Sequence, residues 1–358
     1  MTQLKLIQSL DTTGARAAES FVHDGQRYLV VPQLAADVEG QPALMTMGNS
    51  DIAAPVYKWR DDRFWPWRTL PVAGGEDAEF FRIGDRAFMA TASLRTGANP
   101  YDLNSHSTIF ELERGEFVPF QSIPTFAAKQ WKHFSIAGRE FLALAQGVTL
   151  QGNEPRHSPV SAIFEWTGTR FEEFQRVRSA WGYNWLFFEL AGESFLAYAD
   201  HVESSRILRW TGKEFEEFQQ LDGKSGRAFC FFEHGGADWL VFACLHDETT
   251  LYAWNGERFA RRQAVSGPGG RELRWLPAHE RLVLVNFVHG TREQPVPSLQ
   301  SALYRFEGGR LVIDEEFATL GGTDATAFEE GGETFLVVSH ALGADIRFRT
   351  ESKVYRVG

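Results

Sequence analysis

Apolar and aromatic residues alternate with polar ones in short stretches along this chain, and the stretches repeat. The spelling "IFEWTGTRFEEFQRV" at 163–177 returns as "ILRWTGKEFEEFQQL" at 207–221. A shorter pattern, apolar–aromatic–any–apolar, recurs as VYKW from Val56, IFEL from Ile109, IFEW from Ile163, ILRW from Ile207, LYAW from Leu251, LYRF from Leu303 and VYRV from Val354. Alternation with a period of two predicts strands, and polar turns such as "TGTR", "TGKE" and "NGER" predict a tight return into "FEEFQRV" or "FARRQAV". Ahead of each copy lies a second pair of apolar runs, as in "HFSIAGREFLALAQ" and "FFELAGESFLAYAD". Four strands per unit follow. In the third unit they are A (about 131–136), B (141–146), C (163–166) and D (171–177).

A lone four-stranded sheet of this kind is apolar on both faces and must stack against neighbours, and a period of roughly 40 to 50 residues with four strands is that of a β-propeller blade. The chain finishes on "VYRVG", a C strand with no D strand after it, and opens on "LKLIQSL", which matches the D pattern of "FVPFQSI". The expectation is all-β: a single seven-bladed propeller of four-stranded antiparallel blades over residues 1–358, with the N-terminal strand completing the last blade and removing the unpaired edge.

Composition agrees. The 358 residues include 30 Phe, 11 Trp and 33 Gly against 4 Met, a bias toward strands and turns. A formal charge of −11 argues against a phosphate-backbone binder, so no nucleic acid is expected. No apolar run approaches membrane-spanning length and no secretory leader is visible, which predicts a cytoplasmic protein as the chain stands, with secretion as the other compartment. The two cysteines, Cys230 and Cys244, are too few for a disulfide framework and read as buried thiols.

The units also resemble epitempin, or epilepsy-associated (EAR), repeats, in which an "F..FQ" D strand precedes a "G..FLAVA" strand and an "IYRW" strand. Here "FVPFQSIPTFAAKQWKHFSIAGREFLALAQ" and "SAIFEWTGTRFEEFQRV" carry the likeness best, and it extends over essentially the whole chain. Animal members of that family, the leucine-rich glioma-inactivated proteins among them, are extracellular protein-binding propellers. The resemblance therefore implies a docking role, although a fold by itself does not fix function.

Strand order places the D–A and B–C connections on one face and the short A–B and C–D turns on the other. B–C loops are long at 34–54, 94–107, 147–159 and 287–300 and nearly absent in blades four and five. Long loops on a rigid scaffold are the usual seat of binding. On them stand Arg95, Tyr101, His106, Arg156, His157, His289 and Arg292, residue types suited to an interface and to an acidic partner. Nearer the axis, strand B ends on Gln33, Gln146, Asp200, Asn286 and His340, expected at the channel mouth. Glu19, Asp77, Glu79 and Asp324 open strand A and offer oxygen ligands to a hard cation. The resemblance implies the same ion, since animal members of the family hold calcium in the channel; no cofactor is required, and Ca²⁺ is the candidate.

The leading function is a ligand- or protein-binding propeller using the loop-bearing face, with a protein or a small polar or acidic ligand as partner. The alternatives are a carbohydrate-binding lectin, suggested by the abundant Trp, and an enzyme at the channel mouth drawing on His340, Asp324 or Asp200. No G-x-S-x-G, H-E-x-x-H or paired C-x-x-C accompanies the enzyme reading.

Overall fold

The computed structural model describes residues 3–148, 152 and 154–358, and part of the 147–159 loop lies outside them. Seven four-stranded antiparallel sheets stand in a ring. In blade 3 the strands are A (Gln130–Ile136), B (Arg139–Ala145), C (Ser161–Trp166) and D (Phe171–Val177), paired in that order. The inner A strands of the other blades are Glu19–His23, Gly75–Ile83, Gly182–Leu190, Gly226–His234, Gly270–Leu276 and Gly322–Glu330. Blade 7 is closed from both ends of the chain. Its D strand is the N-terminal Leu4–Thr13, paired with the C-terminal Arg349–Val357 from Leu4 against Val357 to Thr13 against Arg349.

The repeated "FQ" spelling has a physical reason. A bulge in the D strand, beside Phe174 in blade 3, shifts the register by one residue and aims the following glutamine at the next blade. Gln175 then donates its amide to the Phe215 carbonyl at 2.7 Å and accepts the Phe215 N–H at 2.9 Å. Gln8 to Phe64, Gln121 to Phe171, Gln219 to Phe259 and Gln263 to Leu311 make the same two-way bond. A primary amide carries both a donor and an acceptor, which is what one backbone residue needs. Where blade 6 has Glu315 instead, only the acceptor half survives, toward the Leu4 N–H.

The C-strand tryptophans fill the gaps between blades. Trp166 packs on Phe88 and Phe120 of the preceding blade, Trp210 on Phe141 and Phe174, and Trp254 on Phe195 and Phe218. Trp59 of blade 1 meets Phe328 and Phe335 of blade 7. Trp59 is buried, and Trp166, Trp210 and Trp254 are partly buried against the inter-blade clusters. Cys230 and Cys244 are free and buried, and burial pushes both thiols up to about 12.

Candidate functional site

The A strands wall the channel, and their polar side chains staple one blade to the next. Asp77 accepts the Trp131 N–H at 2.9 Å, Asp324 accepts that of Ala18 at 2.7 Å, and Gln130 accepts that of Trp185 at 2.5 Å. Two residues deeper, Glu19 accepts from Phe80 and Glu79 from His133. Lys132 closes on Glu79 at 2.8 Å. Burial, followed by the charge of Glu79, holds Glu19 and Asp77 well above the ordinary carboxylate range, and burial also raises Asp324. Among the described residues no three His, Cys, Asp or Glu side chains are arranged to hold a metal ion. Each of these carboxyls accepts a backbone N–H, and Lys132 pairs with Glu79.

The residues that end strand B stand one layer out from the axis. Gln33 accepts from Thr13 N–H and donates to Ala53, and Gln146 accepts from Phe126 N–H while donating to Ser158 and Val160. Asp200 accepts from the backbone of Ala180, Trp181, Val202 and Glu203. Asn286 donates to Gln300, and His340 pairs with the Glu351 carbonyl. Each ties its own B–C loop, the head of its own strand C or the connector entering strand A, so these side chains fasten the face rather than line the mouth. Burial brings the His340 imidazole down to about 4.

Of the loop residues, Arg95 is buried and clamps the blade 1 loop. Its guanidinium donates to Ser50 Oγ at 2.8 Å and to the Thr46 and Met47 carbonyls at 2.7 and 2.6 Å, while lying 3.7 Å from the Tyr101 ring centre. The Tyr101 hydroxyl donates to Gly48 in the same loop. Both residues hold the rim together. Arg156 is exposed beside Asp102, His157 meets His106 edge-on at 5.9 Å, and His106 stands on a C strand (Asn104–Glu113) rather than in the loop. His289 and Arg292 are exposed on the blade 6 hairpin that pairs His289–Gly290 with Pro295–Val296.

The mouth itself is built by a column that alternation hides. In blades 2, 4, 5, 6 and 7 strand A opens with a bulge, Gly75/Asp77, Gly182/Asn184, Gly226/Ala228, Gly270/Glu272 and Gly322/Asp324, and the extra residue is re-aimed. Those extra residues are Glu76, Tyr183, Arg227, Arg271 and Thr323; Arg16 and Lys129 hold the same position in blades 1 and 3. The glycine before the bulge packs against the preceding blade. A Cβ at Gly226 would stand 2.3 Å from Ser205 Oγ, and one at Gly182 2.5 Å from Ser161 Oγ. Except for Thr323, which turns aside to the Ala15 carbonyl, the column converges. Glu76 lies 3.2 Å from Lys129 and 3.6 Å from Arg16. Arg227 and Arg271 lie 4.0 and 4.7 Å from the Tyr183 ring centre, with Lys129 at 5.2 Å.

The electrostatics follow from that crowding. Burial opposes the Glu76 charge, yet Lys129, Arg16 and Arg271 together hold its carboxyl below the ordinary value. Burial would raise the Tyr183 phenol, but Lys129, Arg227 and Arg271 bring it down to about 7. Burial lowers Arg227 to about 10, and burial together with the Arg227 charge keeps His201 near 3 and therefore neutral. Above this floor opens a cavity of about 520 Å³, walled by Leu34, Leu94, Val148, Trp181, Leu245 and Phe287 from the loop-bearing face.

The molecule is a closed seven-bladed propeller with short turns on one face, tied loops on the other and a lined cavity at the channel mouth. The EPTP domain model matches residues 116–167 and 170–211, so those two stretches are similar to epitempin, or EAR, repeats. The protein named thrombospondin-type laminin G domain and EAR repeat-containing protein is similar in two species. The Homo sapiens form is 32% identical over 156 residues, 42% of this chain and 22% of that protein. The Mus musculus form is 31% identical over 167 residues, 46% of this chain and 24% of that protein. The matched region thus spans less than a quarter of those relatives. The crystal structure of the WD40 beta propeller domain of Doa1 superposes with a TM-score of 0.58 over 99% of this chain and 97% of that one at 10% identity, a likeness of fold alone. No helix among the described residues is long and apolar enough to cross a membrane.

Proposed function

We propose that the chain is a protein-interaction propeller that docks its partner on the face carrying the B–C loops. The observation that carries this reading is the pre-tied rim. Arg95 binds the blade 1 and blade 2 loops together, Asp102 joins the blade 3 loop through Arg156, and Asp37 accepts from the backbone of Phe348 and Arg349 in blade 7. A rim ordered in advance gives up little conformational freedom on binding. The opposite face offers only short turns. Exposed Arg292, which makes no ion pair among the described residues, and exposed Val202 and Val296 give that rim the mixed character of a docking surface.

The test compares partner capture from the source organism's extract by three proteins: the wild type, a rim variant with His157, Arg292 and Val296 all changed to Ala, and an opposite-face variant with Arg170→Ala and Lys213→Ala. Arg95, Tyr101 and Arg156 stay untouched because removing them would loosen the rim. All three should melt alike. A partner kept by the opposite-face variant and lost by the rim variant supports the reading. One kept equally by both, or lost only from the opposite-face variant, overturns it.

A further inference from the structure

We propose that the channel mouth is a binding site for an organic anion, with an oxyanion head, carboxylate or phosphate, seated among Arg16, Lys129, Arg227 and Arg271 and an apolar body lying against the loop wall. This rests on the reading that the loop-bearing face is the binding face, and it narrows that reading to a ligand chemistry.

Four cations gather here: Arg16, Lys129 and Arg227 line the floor of the cavity with Glu76 among them, and Arg271 stands behind them against the Tyr183 ring, where the Glu272 and Asp324 charges also reach it. All four are at most 9% exposed. Charges taken out of water are costly unless paired, and like charges gathered in one place add to the cost. Arg227 and Arg271 make no ion pair among the described residues. Arg227 donates to His201 and to the Ser225 and Gly226 carbonyls, but its Nε has no protein acceptor, and neither have the Nε atoms of Arg16 and Arg271. Arg16 and Arg227, buried guanidinium groups with open donors at the cavity floor and with the Arg271 charge behind them, offer the fork that carboxylates and phosphates match. The surrounding body carries a formal charge of −11, so the patch is a local focus and not a general basic surface.

The wall specifies the rest of the ligand. Leu34, Leu245, Phe287 and Val148 are buried within the apolar clusters beneath the loops, and Leu94 and Trp181 pack against them. A concave apolar wall with a few converging polar groups, at about 520 Å³, is the size and make-up of a small-molecule site. A bare inorganic anion would leave that wall unused.

Tyr183 supplies a reporter inside the site. Its ring is the platform shared by Lys129, Arg227 and Arg271, with Glu76 facing the same cluster. An anion seated there competes with the phenolate for the same cations, so binding discharges it and its near-ultraviolet absorbance falls. Four of the other tyrosines, Tyr57, Tyr252, Tyr304 and Tyr355, are pushed up to about 12 and stay silent near neutral pH.

The experiment titrates the full chain with phenyl phosphate, benzoate, inorganic phosphate and neutral benzyl alcohol by calorimetry at low ionic strength. The expected result is saturable binding of phenyl phosphate or benzoate with a Kd of about 1 mM or tighter, at least about tenfold tighter than benzyl alcohol or inorganic phosphate. The tighter of the two identifies the head. Arg227→Gln and Arg271→Gln should each weaken binding about tenfold or more, whereas the exposed Arg178→Gln should leave it unchanged. If either buried variant fails to fold, the wild-type absorbance decides: the phenolate signal at about pH 8 falls with the same saturation curve as the heat. No saturable binding of either organic anion, equal binding of the neutral or inorganic probe, unaltered affinity in the folded Arg variants, or an unmoved Tyr183 signal overturns the proposal. Because the probes need no protein partner, their failure leaves the rim test intact, and failure of the rim test leaves theirs.

Discussion

Two glutamates on neighbouring rings of the same channel respond to pH in opposite directions. Glu76 is held below its ordinary value because Lys129 and Arg16 outweigh its burial, so its contribution is present above about pH 4.5 and is lost as pH falls through the folded value. Glu272 is raised to about 7, first by burial and then by Asp324, with Arg271 and Arg274 opposing. Its folded form holds a proton that the unfolded chain has released, so its contribution is complete below about pH 4.5 and is lost as pH rises through about 7. Glu272→Gln keeps an acceptor for the Leu273 N–H and removes the charge. Calorimetric melting at about pH 8 should show it more stable than wild type by ~1 kcal/mol, with no difference at about pH 4.5. Glu76→Gln should be less stable than wild type at neutral pH, because Arg16 and Lys129 then face each other with no carboxylate between them. Equal signs for the two substitutions would show that the cations at the mouth do not hold Glu76.

At the scale of the element, the blade is set by features that repeat in the sequence and the mouth by a feature that interrupts the repeat. Alternation, turn residues and the recurring C strand make seven sheets legible, and the match of "LKLIQSL" to "FVPFQSI" makes the closing strand legible too. The same alternation assigns Glu19, Asp77, Glu79 and Asp324 to the channel wall, where they stand as blade staples. It passes over Glu76, Tyr183, Arg227 and Arg271 because each is the unpaired residue of a bulge, which shifts the facing of side chains by one. Aligning the glycine that precedes each bulge would have exposed the column, since Gly75, Gly182, Gly226, Gly270 and Gly322 share one packing constraint. Arg95 was legible as a loop residue but not as a clamp, because its acceptors are backbone carbonyls of another blade's loop. Between elements, aromatic packing does most of the joining. Trp59 is buried against Phe64 of its own blade and Phe328 and Phe335 of blade 7, so it sits on the seam where the ring closes. Trp59→Ala should cost about 3–5 kcal/mol in denaturant unfolding. A loss below about 1 kcal/mol would show that the seam repacks without it.

At the scale of the whole molecule, the ring is held shut by one ladder whose two strands come from opposite ends of the sequence. Leu4–Thr13 pairs with Arg349–Val357 through nine residue pairs, and buried Thr12 Oγ1 hydrogen-bonds Ser352 Oγ within it. Beyond the ladder, Gln3 and Gly358 exchange two backbone bonds, at 3.2 and 3.0 Å. Contacts between nearest blades alone would leave stability a sum of local terms, whereas closure makes opening at any seam break two interfaces at once. A circular permutant that joins Gly358 to Gln3 through a short flexible linker and opens the exposed blade 4 turn at residues 211–214 keeps every blade and makes the closing ladder local in sequence. It should melt within about 5 °C of the parent, because the linker spans termini already in contact and the cut falls in a solvated turn. Deleting residues 1–13 instead removes the D strand of blade 7, bares the C strand's edge and takes away Gln8, which is the staple to Phe64. That variant should lose cooperative unfolding or aggregate. If the permutant were to fail while the deletion melted normally, the ladder would be an ornament on a ring that stays closed by blade packing alone.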